Sequence, residues 1–209
     1  MTIESEGGDR DRRLAQLEAL RAEGVDPYPV TFDRDRTCAA LADAFGALGP
    51  GETTDVRARV AGRLMLIRRQ GKLIFATLQD ATGRIQLFVS LAIVGEEAFD
   101  RIGALDLGDW VGVEGQVMTT RRGELSIEVA SCALLAKTLQ PMPDKWHGLA
   151  DVDARFRRRY VDLIVNPEAR RVFEVRFRAV AAIRRLLDGL GFVEVETPVL
   201  QPSAGGAAA

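Results

Sequence analysis

The stretch Leu73-Ile-Phe-Ala-Thr-Leu78, followed by Asp80-Ala-Thr-Gly83 and then Ile85-Gln-Leu-Phe-Val89, decides the fold of this chain. Its two short runs have period-two alternation, and a turn-forming segment with aspartate and glycine separates them. This pattern predicts an antiparallel β-hairpin with one interior and one outward face. The positions expected inside are Ile74, Ala76, Leu78, Ile85, Leu87 and Val89, and those expected outside include Phe75, Gln86 and Phe88.

Further strands flank this hairpin. An alternating run over Val56–Leu66 precedes it, with Gly62 suited to a bulge or a sharp bend. A helix is expected over Glu96–Leu105, and a second hairpin over Trp110–Thr119 and Leu125–Leu135. Three strands, a helix and two strands is the order of an OB-fold, a five-stranded Greek-key barrel. On its last strand the inward positions are Leu125, Ile127 and Val129, and the outward ones are Glu124, Ser126 and Glu128.

The chain is expected to divide into four segments. Residues 1–53 form an N-terminal helical segment, with helices over Arg10–Glu23 and Cys38–Phe45. Residues 54–139 form the barrel, and the proline-rich residues 140–152 form a linker. Residues 153–209 begin with a basic helix over Asp153–Ile164. A second helix starts at Asn166-Pro-Glu168 and runs to about Leu190, and a short strand over Val193–Val195 follows.

Charge is unevenly distributed, although the net charge is only −2. Residues 56–79 contain no acid, and their basic residues are Arg57, Arg59, Arg63, Arg68, Arg69 and Lys72. Such a local basic stripe attracts phosphate even on a slightly negative protein. No apolar run approaches the roughly 20 residues of a membrane span. Two scattered cysteines predict neither a disulfide framework nor a zinc site, so we expect a cytoplasmic protein with no membrane partner.

An outward aromatic ring beside arginines can stack an unpaired base while the arginines bind its phosphates. Phe75 is the candidate for that ring, but alternation alone equally allows it to pack under the N-terminal helix or a loop. The residue pattern therefore leaves a free-standing OB-fold module for single-stranded RNA or DNA open. It also leaves open an interaction module without RNA preference.

Several quoted motifs carry a family resemblance. The run from Arg68 to Asp80 resembles the anticodon-binding hairpin of the aspartyl, asparaginyl and lysyl class II aminoacyl-tRNA synthetases. Residues 191–209, which end in Gly-Gly-Ala-Ala-Ala, resemble motif 1 of the lysyl branch. Residues 19–29 resemble the lysyl N-terminal helix and turn, and residues 139–149 and 155–163 resemble its interdomain connection. An aspartyl or asparaginyl enzyme is the nearest alternative.

The resemblance implies the roles of named residues. Phe75 stacks the central uracil of the tRNA anticodon, Gln86 hydrogen-bonds the edge of that base with help from Arg68, and Glu124 reads a neighbouring base. Gly205, Gly206 and Ala207 approach the lysine pocket as small residues. The full-length family enzyme activates lysine with ATP and Mg²⁺, transfers it to tRNA, and forms a homodimer through motif 1.

The resemblance also places motifs 2 and 3 after residue 209. We therefore expect no catalytic or metal-binding residue within this chain, and no aminoacylation by the chain alone. His147, the sole histidine, lies in the linker after its prolines and has no neighbouring nucleophile, so a structural or interdomain role is expected. Glu194 and Glu196 lie on one face of the predicted strand, and we expect them to form interface salt bridges.

Overall fold

The computed structural model describes residues 3–143, 149 and 151–199. The chain divides into two compact units, one over residues 1–142 and the other over residues 143–209. The described residues include no helix that is both long and apolar enough to cross a membrane.

The first unit contains a closed five-stranded barrel. Its strands are β1 (Thr53–Gln70), β2 (Leu73–Gln79), β3 (Arg84–Ser90), β4 (Trp110–Thr119) and β5 (Leu125–Ala136). They are hydrogen-bonded in the order β1-β2-β3-β5-β4, and β4 pairs back onto β1. The β3–β5 pair is parallel and the other pairs are antiparallel. The predicted OB-fold is confirmed.

The barrel interior follows the predicted alternation. The interior positions of the first hairpin are buried, and so are Ile127 and Val129 on β5. Leu125 is only partly buried at the start of its strand, where it packs against the core. Ser126 departs from the prediction, because this outward-facing residue has no exposed surface at all. The amide of Gln86 lies against its hydroxyl on the outer surface of the barrel.

Two glycines allow the sheet to close. A Cβ at Gly115 would lie 2.1 Å from the carbonyl oxygen of Glu128, and the β4–β5 register shifts between Glu114 and Gly115. A Cβ at Gly62 would lie 2.5 Å from the carbonyl oxygen of Gln79. Gly62 is therefore needed for close backbone approach, whereas the register shift on β1 comes later, between Leu64 and Leu66.

The helices of the first unit are α1 (Ile3–Ala22), α2 (Cys38–Phe45), α3 (Leu91–Val94) and α4 (Glu96–Gly103). Helix α1 begins before the predicted Arg10, and the chain after it turns at Gly24, whose φ is +76°. Helix α2 has its predicted bounds and is capped by the Thr37 side chain. Phe99 and Ile102 of α4 are buried in the barrel core.

Two buried cations, Arg13 of α1 and Lys137 after β5, are fully engaged by polar groups of the first unit. The Arg13 guanidinium is 4% exposed and donates hydrogen bonds to the backbone carbonyls of Leu107 and Thr138. Lys137 is buried and donates to the carboxylates of Asp106 and Asp109. These hydrogen bonds offset the cost of burying the two charged side chains.

The second unit contains α5 (Val152–Arg157), α6 (Arg159–Val165) and α7 (Pro167–Gly189). The single helix predicted over Asp153–Ile164 is wrong, because the chain leaves helical geometry at Arg158, whose φ and ψ are −109° and 49°. The Asp162 carboxylate is fully buried and accepts from Arg159 within α6 at 2.6 Å and from Arg155, across that break, at 2.9 Å. Asn166 caps α7 as predicted.

The strand predicted over Val193–Val195 does not form. Residues 192–198 belong to no sheet, because a strand requires a hydrogen-bonding neighbour and residues 151–199 provide none. Glu194 instead accepts from Arg184 of α7 at 2.9 Å within the unit, and this pair is exposed. The strand pattern thus identified extended backbone without identifying a partner.

Candidate nucleic-acid interface

An open groove of about 840 Å³ lies on the outer surface of the barrel. Strands β1 to β3 and the turn between β4 and β5 contribute its lining, which includes Arg68, Phe75, Gln86, Phe88, Arg122 and Glu124. The four residues predicted to bind an anticodon are therefore brought together. They come from β1, β2, β3 and the turn that precedes β5.

Phe75 lies on the outer face of β2 and is half-buried. Its ring contacts that of Phe88, the residue opposite it on β3, edge to face with centroids 5.5 Å apart and planes inclined at 61°. Arg68 lies opposite Phe75 on the other side, in the β1–β2 register. The prediction of an outward ring is confirmed, and the arrangement offers an aromatic surface beside a guanidinium group.

Gln86 lies on β3, directly opposite Ser126 in the parallel β3–β5 register. Its amide Nε2 donates to the Ser126 hydroxyl at 3.0 Å, and that hydroxyl donates to the backbone carbonyl of Glu124 at 2.9 Å. The Gln86 Oε1 accepts no hydrogen bond from the part of the chain described. A hydrogen-bond acceptor is therefore held at the groove beside the aromatic pair.

The turn between β4 and β5 forms another side of the groove. The Thr120 N–H donates to the Glu124 carbonyl, and the Glu124 N–H donates to the Thr120 hydroxyl. Gly123, whose φ is +82°, completes the turn and donates to the Thr120 carbonyl. The Arg121, Arg122 and Glu124 side chains are exposed and line the groove. Positive groups and an acceptor carboxylate are thus available next to the aromatic surface.

Ion pairing divides the predicted basic stripe into two groups. Arg57 pairs with Glu114 at 3.5 Å, Arg59 with Asp33 at 2.8 Å, and Arg69 with Asp100 at 2.9 Å. Arg63 lies over the Trp110 ring, 5.3 Å from its centroid. The charges of three stripe arginines are therefore partly compensated by acids that come from elsewhere in the chain.

Four other cations of the barrel are exposed and make no ion pair with any residue described. Arg68 and Lys72 belong to the basic stripe, and Arg121 and Arg122 belong to the turn between β4 and β5. Three of these four, the arginines, line the groove. The groove therefore carries three arginines whose charge no described acid compensates, and this charge is available to phosphate.

The other candidate residues do not contribute to the groove. His147, Gly205, Gly206 and Ala207 lie outside the described residues. Burial raises the pKa of the Cys38 thiol to about 12, and the negative charge of Asp80 contributes to this increase. Burial also raises the pKa of the Cys132 thiol to about 12. Both thiols are therefore protonated and weakly nucleophilic at neutral pH. The described part of the chain contains no cluster of three or more metal-ligating side chains.

Sequence reasoning missed three groove features. Ser126 was placed outside the barrel by alternation, but its burial under Gln86 was not expected. Arg121 and Arg122 lie between the two strands of the second predicted hairpin, and the sequence pattern does not bring that turn to the groove. The available signal was the OB-fold order itself, because β5 beside β3 brings the β4–β5 turn close to the outer face of the first hairpin.

Comparison with known proteins identifies two family segments. Residues 58–135 match the OB-fold nucleic acid binding domain, and residues 151–209 match the class II tRNA synthetases of the D, K and N group. The chain is 47% identical to the lysine–tRNA ligase of Moorella thermoacetica over 209 residues, covering 100% of this chain and 42% of the relative.

Other relatives agree. A lysine–tRNA ligase of Synechococcus sp. is 50% identical over 199 residues, covering 95% of this chain and 39% of the relative. That of Magnetococcus marinus is 44% identical over 211 residues, covering 100% of this chain and 42% of the relative. The chain thus spans about two fifths of the length of these relatives.

Proposed function

This chain belongs to the class II lysine–tRNA ligase family, and we propose that its barrel binds the anticodon loop of a lysine tRNA. The complete enzyme would activate lysine with ATP and esterify the tRNA. The observation that carries the proposal is the convergence of Arg68, Phe75, Gln86 and Glu124 on one groove with uncompensated positive charge.

Base stacking would provide the main contact. Anticodon bases are unpaired, so a splayed base can place its face against an aromatic ring. Phe75 offers such a ring, and its edge-to-face neighbour Phe88 restricts how it can tilt. Stacking of this kind is worth roughly 1–3 kcal/mol per base. Because every base has such a face, stacking alone gives affinity without choosing the central uracil.

Hydrogen bonds would provide that choice. The Gln86 amide would bind the edge of the central uracil, and the Glu124 carboxylate would read a neighbouring base. Arg68, Arg121 and Arg122 would attract the phosphates of the loop, which supports docking of any sequence. Affinity and sequence discrimination would thus come from different residues of the same groove.

Helix α7 would form part of a homodimer interface. It carries an exposed apolar stripe composed of Val172, Val175, Phe177, Val180, Ile183, Leu186, Leu187 and Leu190. An exposed apolar surface of this extent is typical of an interaction site. We propose a second copy of the chain as its occupant, as in the motif 1 interface of the family.

The proposed organisation retains a helical segment over 1–53, an anticodon-binding barrel over 54–139, a linker over 140–152 and a synthetase segment over 153–209. ATP and Mg²⁺ would serve the complete enzyme in the cytoplasm. The described residues offer no suitable ligand set for Mg²⁺, because they contain no group of three or more ligating side chains. We therefore propose none of them as a metal ligand.

A binding measurement tests this proposal. The 209-residue chain should bind an RNA stem-loop with the lysine anticodon more tightly than loops in which one anticodon base is changed. Fluorescence anisotropy with labelled loops would measure the dissociation constants. Equal affinity for all loops would instead support a general single-strand-binding module, and no RNA binding would support a protein-interaction module.

A further inference from the structure

A buried hydroxyl accepts a hydrogen bond from the amide of Gln86 at the groove. Ser126 has no exposed surface, and its Oγ lies 3.0 Å from Gln86 Nε2 and 2.9 Å from the Glu124 carbonyl oxygen. Both partners are polar atoms of residues that line the groove. The three groups form a chain that joins the proposed reader of the central base to the proposed reader of its neighbour.

The direction of these hydrogen bonds follows from the number of hydrogens. A serine hydroxyl has one hydrogen, and a carbonyl oxygen can only accept, so the Ser126 hydrogen goes to the Glu124 carbonyl. The Ser126 oxygen must then accept from Gln86, which requires the NH₂ group of the amide to face it. After a half-turn of the amide, the hydroxyl could donate to Oε1 only by giving up its hydrogen bond to the Glu124 carbonyl.

From this geometry we propose that Ser126 is a positioning residue that locks the Gln86 amide in the orientation that favours uracil over cytosine. The inference rests on the proposed anticodon-binding function and assigns to Ser126 a part in its base discrimination. Ser126 does not touch the base, and it acts only through Gln86.

The two pyrimidines differ at the atoms that an amide can reach. Uracil presents the N3–H donor between two carbonyl acceptors. Cytosine presents the N3 acceptor next to the N4 amino donor. An amide free to turn can pair with either base, because it carries an acceptor and a donor side by side. With Nε2 turned toward Ser126, Oε1 is the atom left to accept the uracil N3–H, and it meets the cytosine N3 as a second acceptor.

Burial makes this lock effective. A hydrogen bond is stronger in a low-dielectric environment, and leaving a buried acceptor or donor unpaired is costly. The half-turned amide would place such a mismatch at a hydroxyl with no exposed surface. The parallel β3–β5 register holds the Gln86 and Ser126 backbones opposite each other, so the amide cannot avoid the hydroxyl by a shift of the strands.

The test compares the 209-residue chain with Ser126→Ala on stem-loops that carry uracil or cytosine at the central anticodon position. The unchanged chain should prefer uracil by about tenfold or more. Ser126→Ala should lose most of this ratio, mainly through tighter binding of the cytosine loop. In a Gln86→Ala background, Ser126→Ala should leave the ratio unchanged, because the amide is already absent.

Two controls separate positioning from folding. Ser126→Thr keeps the hydroxyl and should keep the uracil preference, while thermal unfolding measures whether each variant folds. If Ser126→Ala does not fold, Ser126→Cys provides a second variant with only weak hydrogen bonding. An unchanged ratio in a folded Ala or Cys variant overturns the role of Ser126 alone. A missing uracil preference in the unchanged chain overturns the proposed function, and this inference with it.

Discussion

Phe75 and Phe88 lie opposite each other on β2 and β3, and their rings meet edge to face with centroids 5.5 Å apart. Neither side chain belongs to the barrel interior, where Ala76 and Leu87 occupy the neighbouring positions. Both rings are half-buried and line the groove that also contains unpaired arginines. A stacked nucleobase is the occupant that we propose for them.

Phe75→Ala should weaken binding of the lysine-type stem-loop by about tenfold or more, because the stacking surface is lost. Phe75→Trp keeps a stacking surface and should retain most of the affinity. Fluorescence anisotropy measures both constants. The free energy of unfolding should fall by only about 0.5–1.5 kcal/mol in Phe75→Ala, since the ring pairs with Phe88 outside the core. Retained binding with a collapse of stability would contradict the assigned role.

Replacing Arg121 and Arg122 together by glutamine should weaken the binding of every stem-loop by a similar factor, because phosphate contacts carry no sequence information. The slope of log affinity against log salt should become shallower by about 1.4 if each arginine neutralises one phosphate of a single strand. Binding measured over a range of KCl concentrations gives this slope. Arg57→Gln is the matched control, because Arg57 pairs with Glu114 and should leave the slope unchanged. An unaltered slope in the double variant would remove the two arginines from the interface.

Asp80 should make the free energy of unfolding decrease at low pH. Burial alone would raise the pKa of this carboxyl, but hydrogen bonds from the Cys38, Thr82 and Gly83 backbone N–H groups and the Thr82 hydroxyl outweigh it and lower the pKa. The folded-state pKa thus lies below the unfolded value of about 3.9. The stabilisation is present above the unfolded pKa and is lost as pH falls through the folded one.

Asp80→Asn should therefore lower the free energy of unfolding at neutral pH by about 1–3 kcal/mol. It should also flatten the pH dependence below about pH 4, where the unfolded carboxyl begins to bind a proton. Urea unfolding as a function of pH measures both effects. Asp43→Asn, at an exposed position of α2, is the control. The same acid sensitivity in Asp80→Asn and the unchanged chain would refute this origin.

Lys137→Met should destabilise the first unit by about 3–5 kcal/mol, because it leaves the buried Asp109 carboxylate without its cation, whereas Asp106 keeps its pair with Arg12. Lys137 is 3% exposed at its side chain, and the paired Asp109 carboxylate has no exposed surface. Urea unfolding would measure the loss. Arg21→Met is the control, since Arg21 pairs with Glu18 on the exposed face of α1 and such pairs contribute about 0–1 kcal/mol. Equal effects of the two substitutions would show that burial of the Lys137 pair is unimportant.

Ile183→Asp should reduce self-association, because it places a charge in the exposed apolar stripe of α7. Analytical ultracentrifugation over a range of concentrations would measure the change in dimer fraction. The replacement lies on an exposed residue, so the helix itself should be retained, as circular dichroism would check. A chain whose association state is insensitive to this substitution would exclude the stripe as the dimer contact.

Local pattern in the sequence was sufficient for the barrel and for the positions of its outward residues. Period-two alternation placed Phe75 and Gln86 outside because side chains of a strand point to opposite faces whatever the partner strand is. The bounds of α2 and β4 were also predictable from the sequence, because capping and turn residues fix the backbone only of the residues next to them.

Only the tertiary structure decided which of these groups are available to a ligand. Gln86 and Ser126 are 40 positions apart in the chain, and the parallel β3–β5 register alone brings them into hydrogen-bond contact. Acids distant in sequence compensate Arg57 and Arg69, so composition could not separate them from Arg68. The extended residues after α7 show the same limit, because a strand requires a partner that alternation cannot supply.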